Sequence, residues 1–257
     1  VDNFDAGAVL LSVTVVIPVL NERAEISATL KTLQQHHQQG LIDEVIVVDG
    51  GSTDDTVALA SQFDFVRCLS SPRGRASQMN AGAQIAQGRY LLFLHADTRL
   101  SRRGLREMRR RMNDPQTIGG AFRFAVNATG LHFRMMERLV EWRCRSLLLP
   151  YGDQALFVRR MVFDEMGGYR ELKAFEDVDL IMRLRERGKL ALLRGRALTS
   201  GRSWKSRFVL RTSLHLGFLG CFMLHVDPAR LAWLYPKSEP AALPKSASMK
   251  PRRGHVT

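Results

Sequence analysis

The sequence predicts an α/β protein with a mainly parallel central sheet flanked by helices. Three observations predict it. Short runs rich in β-branched residues and leucine recur at Thr14–Leu20, Glu44–Asp49 and Tyr90–Leu94. Their apolarity is continuous, not alternating, which suits strands covered on both faces. Amphipathic helical patterns separate them, and a strand–helix–strand order makes neighbouring strands parallel. Each run also stops at a carboxylate: Glu22, Asp49 and Asp97. Ligands of such sheets lie beyond the carboxyl ends of the strands, so these three are expected along one edge. Clustered carboxylates in a basic chain need a counter-charge, and a divalent cation carrying a phosphorylated ligand is the natural candidate.

The elements follow in order. After the first strand, Ile26, Leu30 and Leu33 form the stripe of an amphipathic helix, ended by Gly40. Strand 44–49 leads into a helix over 54–63, with Asp54 as its N-cap. A third strand spans 65–69. A helix over 76–87 places Met79, Ala83 and Ala86 on one face, and the fourth strand covers 90–95. Beyond Ser101 the order is less regular. A basic helix runs to Asn113, a strand covers 119–126 and a helix 131–146. A strand at 154–159 with a short helix, a helix at 176–187 closed by Gly188, and a strand at 189–194 complete the reading.

A chain of 257 residues accommodates one large domain, and a hydrophobic fraction of 45% supplies an ordinary core. The expected division is a catalytic domain over 1–205, with halves at 12–100 and 101–205, then a helical segment over 206–235. A disordered tail rich in Pro, Ser, Ala and Lys follows over 236–257. Cys68, Cys144 and Cys221 lie far apart without metal-ligand spacing and read as reduced thiols. No basic, apolar leader precedes the first strand, so a cytoplasmic protein is expected. The net charge of +13 favours anionic partners. The run Phe208–Val226 is apolar but broken by Arg211, His215 and His225. Segment 206–235 is therefore expected to lie on the inner face of the cytoplasmic membrane, not to span it. Packing on the catalytic domain or on a second subunit is the rival, so a homo-oligomer stays open.

The motifs are more specific than the composition. In order they are Val16-Ile17-Pro18-Val19-Leu20-Asn21-Glu22, Val47-Val48-Asp49-Gly50-Gly51-Ser52-Thr53-Asp54, Met79-Asn80-Ala81-Gly82 and Leu94-His95-Ala96-Asp97. Gly152-Asp153-Gln154, Gly167-Gly168-Tyr169 and Phe175-Glu176-Asp177-Val178-Asp179-Leu180 follow. Over about residues 12–205 this series resembles the family 2 glycosyltransferases, enzymes of the GT-A fold that use nucleotide sugars.

The resemblance implies a donor half and an acceptor half. Pro18 ends the first strand and fixes the turn that aims Asn21 and Glu22. Glu22 is suited to ribose hydroxyls. Asp49 is implied to accept from the N–H of uracil, although a turn-stabilising role before Gly50-Gly51 is the alternative. Arg75 and Asn80 are implied to approach the nucleotide or sugar, the guanidinium suiting phosphate. His95-Ala96-Asp97 stands where the family carries Asp-x-Asp. Asp97 is the implied metal ligand, and His95 replaces the first Asp; imidazole is a poorer ligand for Mg²⁺ than for Mn²⁺, so either metal stays open, as does a His95 contact with ribose. Asp177 matches the family's general base and Glu176 its neighbour. Asp153 and Gln154 belong to the acceptor side, with Asp153 a candidate for holding acceptor or sugar.

The function implied is inverting transfer of one sugar from a nucleotide diphosphate sugar, UDP-linked, to an acceptor hydroxyl, lipid or otherwise apolar. The Gln-x-x-Arg-Trp signature of processive synthases is absent, which favours single transfer. Neither a dinucleotide-binding GxGxxG nor a P-loop is present. The alternatives are a nucleotidyltransferase on a similar sheet and a non-enzymatic basic module. The first lacks a basic glycine-rich loop after strand one. The second rests on charge alone, without an aromatic stacking surface, so no specific nucleic acid is expected.

Overall fold

A computed structural model describes residues 12–172 and 175–201. The expected segments at 206–235 and 236–257 lie outside the described residues. One eight-stranded sheet organises the rest, in the order β3-β2-β1-β4-β7-β6-β8-β5. The strands are β1 (Val13–Val19), β2 (Glu44–Asp49), β3 (Val66–Ser70), β4 (Tyr90–Phe93), β5 (Thr98–Leu100), β6 (Thr117–Asn127), β7 (Leu156–Arg159) and β8 (Lys189–Ser200). The helices are α1 (Ile26–Gln38), α2 (Thr56–Ala60), α3 (Arg75–Ile85), α4 (Arg102–Met112), α5 (Leu131–Leu147), α6 (Arg160–Glu165) and α7 (Glu176–Arg185).

The first four strands are parallel, as the alternation of strands and helices requires. Beyond β4 the sheet is mixed. β7 runs antiparallel to both β4 and β6, β6 is parallel to β8, and β5 is antiparallel to β8. The sheet is thus mixed but mainly parallel, with helices on both faces.

Strand alternation sorts the core into two layers. Val13, Val15, Ile17 and Val19 join Ile26, Leu30 and Leu33 of α1 and Leu105, Met108 and Met112 of α4. Val16, Ile46 and Val48 join Met79 and Ala83 of α3 and Leu180, Ile181 and Leu184 of α7. The predicted stripes of α1 and α3 are therefore the buried ones. Gly82 lets α3 approach the sheet, since a Cβ there would lie 2.4 Å from Val16 Cγ1. A third layer packs Phe133, Met136, Val140 and Cys144 of α5 on Phe124 and Val126 of β6.

Several boundaries differ from expectation. β1 continues one residue past Pro18, with Val19 paired to Asp49. A proline fits there because Pro18 need not donate to the ladder late in a strand. The N-cap of α2 is Asp55, not Asp54. Asp54 sits one residue earlier, and its Oδ1 accepts from Thr56 N at 3.0 Å, so it still satisfies a helix-end amide. β4 stops at Phe93, and His95 lies in the turn beyond it. Gln154 belongs to a short 3-10 turn, Gly152–Gln154, that precedes β7. β8 is twice the expected length because its polar residues alternate along an exposed face. β5 was not foreseen: three residues are too few to carry a periodic signal.

Candidate active site

The carboxyl ends of β2, β1 and β4 lie side by side, and loops there carry most of the predicted residues. Two loops are laced together after β1 and β2. Asn21 adopts a left-handed backbone (φ 56°). Its N–H donates to Ser52 Oγ at 2.9 Å, and its Oδ1 accepts from Thr53 N at 2.8 Å. Glu22 N donates to Thr56 Oγ1 at 2.8 Å. The buried Asp49 carboxylate accepts from the amides of Gly51 and Ser52 at 3.0 Å. It thus makes the turn anticipated as the alternative to base recognition. An ionised carboxylate has about four acceptor sites, so capacity remains for a further donor.

Beneath these loops lies Gln78, which sequence reasoning passed over. Its amide N–H groups donate to Val19 O at 2.9 Å and Val48 O at 2.8 Å. It clamps the ends of β1 and β2 from α3. A polar residue on the inward face of a helix was the available signal.

The turn after β4 is fixed from two sides. Thr29 Oγ1 donates to Ala96 O at 2.6 Å, and Thr98 N donates to His95 O at 3.0 Å. Ser200 N donates to Asp97 O at 3.0 Å, which ties the turn to β8. His95 faces a cleft also lined by Arg75, Met79, Phe93, Gly152, Tyr169, Glu176 and Asp177. Phe93 and Tyr169 meet edge to face there, with ring centroids 4.9 Å apart. Among the described residues, no group of three or more His, Cys, Asp or Glu side chains converges as a metal cage.

The acceptor side is equally constrained. Asp177 lies in the first turn of α7 and accepts a hydrogen bond from Gly152 N, which locks the 3-10 turn to the helix. Glu176 is 5% exposed and lies 3.5 Å from Arg75 Nη1. Burial pushes its carboxyl above the ordinary range, and Asp177 adds to this while Arg75 opposes it. Asp153 is pushed up to about 6, chiefly by burial and further by Asp177 and Asp97, against Arg143 and Arg75. Its Oδ1 is shut off from solvent without a hydrogen-bond partner.

Three predicted or neighbouring residues act as braces in the structure. Asn80 donates from Nδ2 to Tyr169 O at 2.8 Å and accepts from Tyr169 N at 2.9 Å on Oδ1. Both ends of its amide thus hold the Gly167-Gly168-Tyr169 turn. Arg183 donates to Gly168 O at 2.8 Å and pairs with Asp179 at 2.8 Å, fixing the same turn from α7. Gln154 is buried, its Oε1 accepting from Arg143 Nη2 and Tyr151 N and its Nε2 donating to Phe122 O.

Arg143 was not foreseen. It is 4% exposed, and its guanidinium carbon lies 3.5 Å from the centre of the Tyr151 ring. A buried cation stacked on an aromatic face behind the acceptor turn offsets the negative charge of Asp153. Its place on α5 looked like one more basic residue among many, and only tertiary packing separates it from the solvated ones.

Comparison with known proteins bears on this arrangement. The profile of the family described as "Glycosyl transferase family 2" matches residues 14–172, more than half of the chain. The chain belongs to glycosyl transferase family 2. An uncharacterized protein of Mycobacterium tuberculosis is 28% identical over 198 residues, 67% of this chain and 61% of that protein. A probable glycosyltransferase of Bacillus subtilis is 24% identical over 197 residues, 68% of this chain and 47% of that protein. The chain thus spans about half to three fifths of the length of these relatives. Among solved structures, S. aureus TarS in complex with UDP superimposes with a TM-score of 0.56 at 17% identity, over 74% of this chain and 61% of that one. A Pyrobaculum calidifontis mannosyltransferase in complex with GDP-Man and Mn²⁺ gives 0.54 at 18%, over 72% and 56%. These likenesses establish the GT-A type of fold.

Proposed function

We propose that this family 2 chain transfers one sugar from a nucleoside diphosphate sugar, UDP-linked, to an acceptor hydroxyl with inversion. One observation carries the reading. Asp177 is pinned by Gly152 N in the same cleft as His95, Tyr169 and Glu176, at the edge where such sheets bind nucleotides. TarS and the mannosyltransferase were solved with UDP and GDP-Man respectively, which supports a nucleotide-sugar donor.

In this scheme Glu22 and Asp49 hold the nucleoside, with Pro18 and Asn21 shaping their loops. Arg75 faces the diphosphate. The acceptor oxygen bonds to the anomeric carbon as its proton passes to the Asp177 carboxylate. The bond from that carbon to the diphosphate oxygen breaks, and the nucleoside diphosphate leaves with the electron pair. Burial biases Glu176 towards protonation and Arg75 beside it adds positive charge, which limits the repulsion that an anionic donor meets. Asn80 and Gln154 serve by holding the Tyr169 and Asp153 turns.

Asp97 would hold a divalent cation through its carboxylate, and the His95 imidazole two residues before it would suit Mn²⁺ better than Mg²⁺. Such a cation, when bound, stabilises the charge on the leaving group. Thermal-shift titration with UDP and Mn²⁺ tests the donor reading. Stabilisation that needs both and disappears in Asp97→Asn is expected. A response to nucleoside triphosphate alone overturns it in favour of nucleotidyl transfer.

A further inference from the structure

The outer face of α5 is apolar and exposed among the described residues. Leu131, Met135, Leu139 and Trp142 are 74%, 60%, 41% and 53% exposed. At 100° per residue they fall within one narrow stripe. Arg138 and Arg145 are exposed along one edge of that stripe. The acidic residues of the helix are neutralised: Glu137 pairs with Arg134 at 2.7 Å, and Glu141 is shared between Arg145 at 2.8 Å and Arg123 of β6, which leaves the edge of the stripe net positive. The opposite face of α5 buries Arg143 and Cys144 against Gln154, directly behind the acceptor turn.

We propose that this face of α5 docks on a bilayer carrying anionic headgroups. Tryptophan and long apolar side chains enter the headgroup–acyl boundary while flanking arginines meet lipid phosphates. Charge decides against the rival occupant, the chain's own continuation. Residues 202–226 contain Arg202, Lys205, Arg207 and Arg211 and no carboxylate. Against the arginine edge of α5 that segment is repelled, whereas an anionic surface attracts both. Position agrees. A Cβ on Gly201 would lie 2.9 Å from Asn127 O, so the described chain ends beside the entry to α5. Among the described residues no helix is long and apolar enough to cross a membrane, so contact through α5 is peripheral. Docking through α5 does not depend on the sugar-transfer reading. If both hold, the bilayer lies behind the acceptor turn, which favours an amphiphilic acceptor.

The test uses the full chain and vesicles of phosphatidylcholine with and without phosphatidylglycerol. Wild type should sediment with the anionic vesicles and release with salt. Met135→Glu/Trp142→Glu should weaken binding about tenfold or more, the penalty for setting carboxylates against anionic lipid. A second measurement guards against misfolding. With Trp204 and Trp233 changed to Phe, Trp142 should be quenched by brominated lipid. Absent wild-type binding, unchanged binding of the double variant, or an unquenched Trp142 each overturns the proposal. A dimer that the Glu variants dissociate without any change in vesicle binding overturns it in favour of a second copy.

Discussion

Adding a single methyl group at Gly152 should slow the chemistry far more than it loosens the fold. A Cβ there would stand 2.5 Å from Asp177 Oδ2, 3.2 Å from its Cγ and 3.4 Å from His95 Nε2. Ordinary contact between carbon and its neighbours begins near 3.5 Å, so the carboxylate must retreat by about 1 Å. It also loses the Gly152 N–H that aims it. A displacement of that size at a reacting group costs about 100-fold in rate. The side chain that yields is half-buried and lines a cleft, so the stability cost should sit at the low end of overpacking, about 1 kcal/mol. The assay is release of nucleoside diphosphate at saturating donor, beside thermal melts of both proteins. Gly152→Ala should lower kcat about 100-fold and leave donor affinity nearly unchanged. Combining it with Asp177→Asn should add little, since both act on one group. Wild-type turnover in a folded Gly152→Ala protein would refute the placement of Asp177 as the base.

Two further outcomes follow from the braces and the buried acid. Asn80→Ala removes both hydrogen bonds to the Tyr169 backbone and should lower stability by about 1–3 kcal/mol in urea titrations. UDP affinity of the folded protein should stay within about twofold if Asn80 acts only as a brace; a large loss assigns it a direct contact. Asp153 is pushed up to about 6, above its unfolded value, so the folded state holds its proton more tightly. Stability from this group is present at low pH and is lost as pH rises towards 6 and beyond. Asp153→Asn should therefore stabilise the protein at pH 7.5, on the order of 1–3 kcal/mol, with the gain vanishing below about pH 4. A gain independent of pH contradicts the burial argument.

The donor half was legible because each of its signals is local. The strand runs are continuous apolar stretches, the α1 stripe of Ile26, Leu30 and Leu33 has a period of 3.6, and the carboxylates stand where the runs stop. The second half was read less well. β7 is antiparallel although a helix precedes it, and β5 has only three residues. Neither strand pairing is encoded in a local pattern. The site shows the same division. Asp177, Glu176, His95 and Arg75 were named from motifs and line one cleft. Asn80 and Gln154 were also named from motifs, but their amides are occupied by backbone groups that only the folded chain brings near. Gln78 carried a signal, a polar residue on the inward face of its helix, whereas only burial sets Arg143 apart from the other basic residues of α5.

The central claim is that this cleft holds a nucleoside diphosphate sugar and that Asp177 takes the acceptor proton. Its most direct test is nucleoside diphosphate release from a panel of nucleotide sugars with Mn²⁺, run on wild type and Asp177→Asn with calorimetric donor affinities. The account predicts that wild type turns over at least one UDP-linked donor. Asp177→Asn should bind that donor with similar affinity and turn it over about two to four orders of magnitude more slowly. Equal turnover by both proteins, or no donor bound by either, contradicts it.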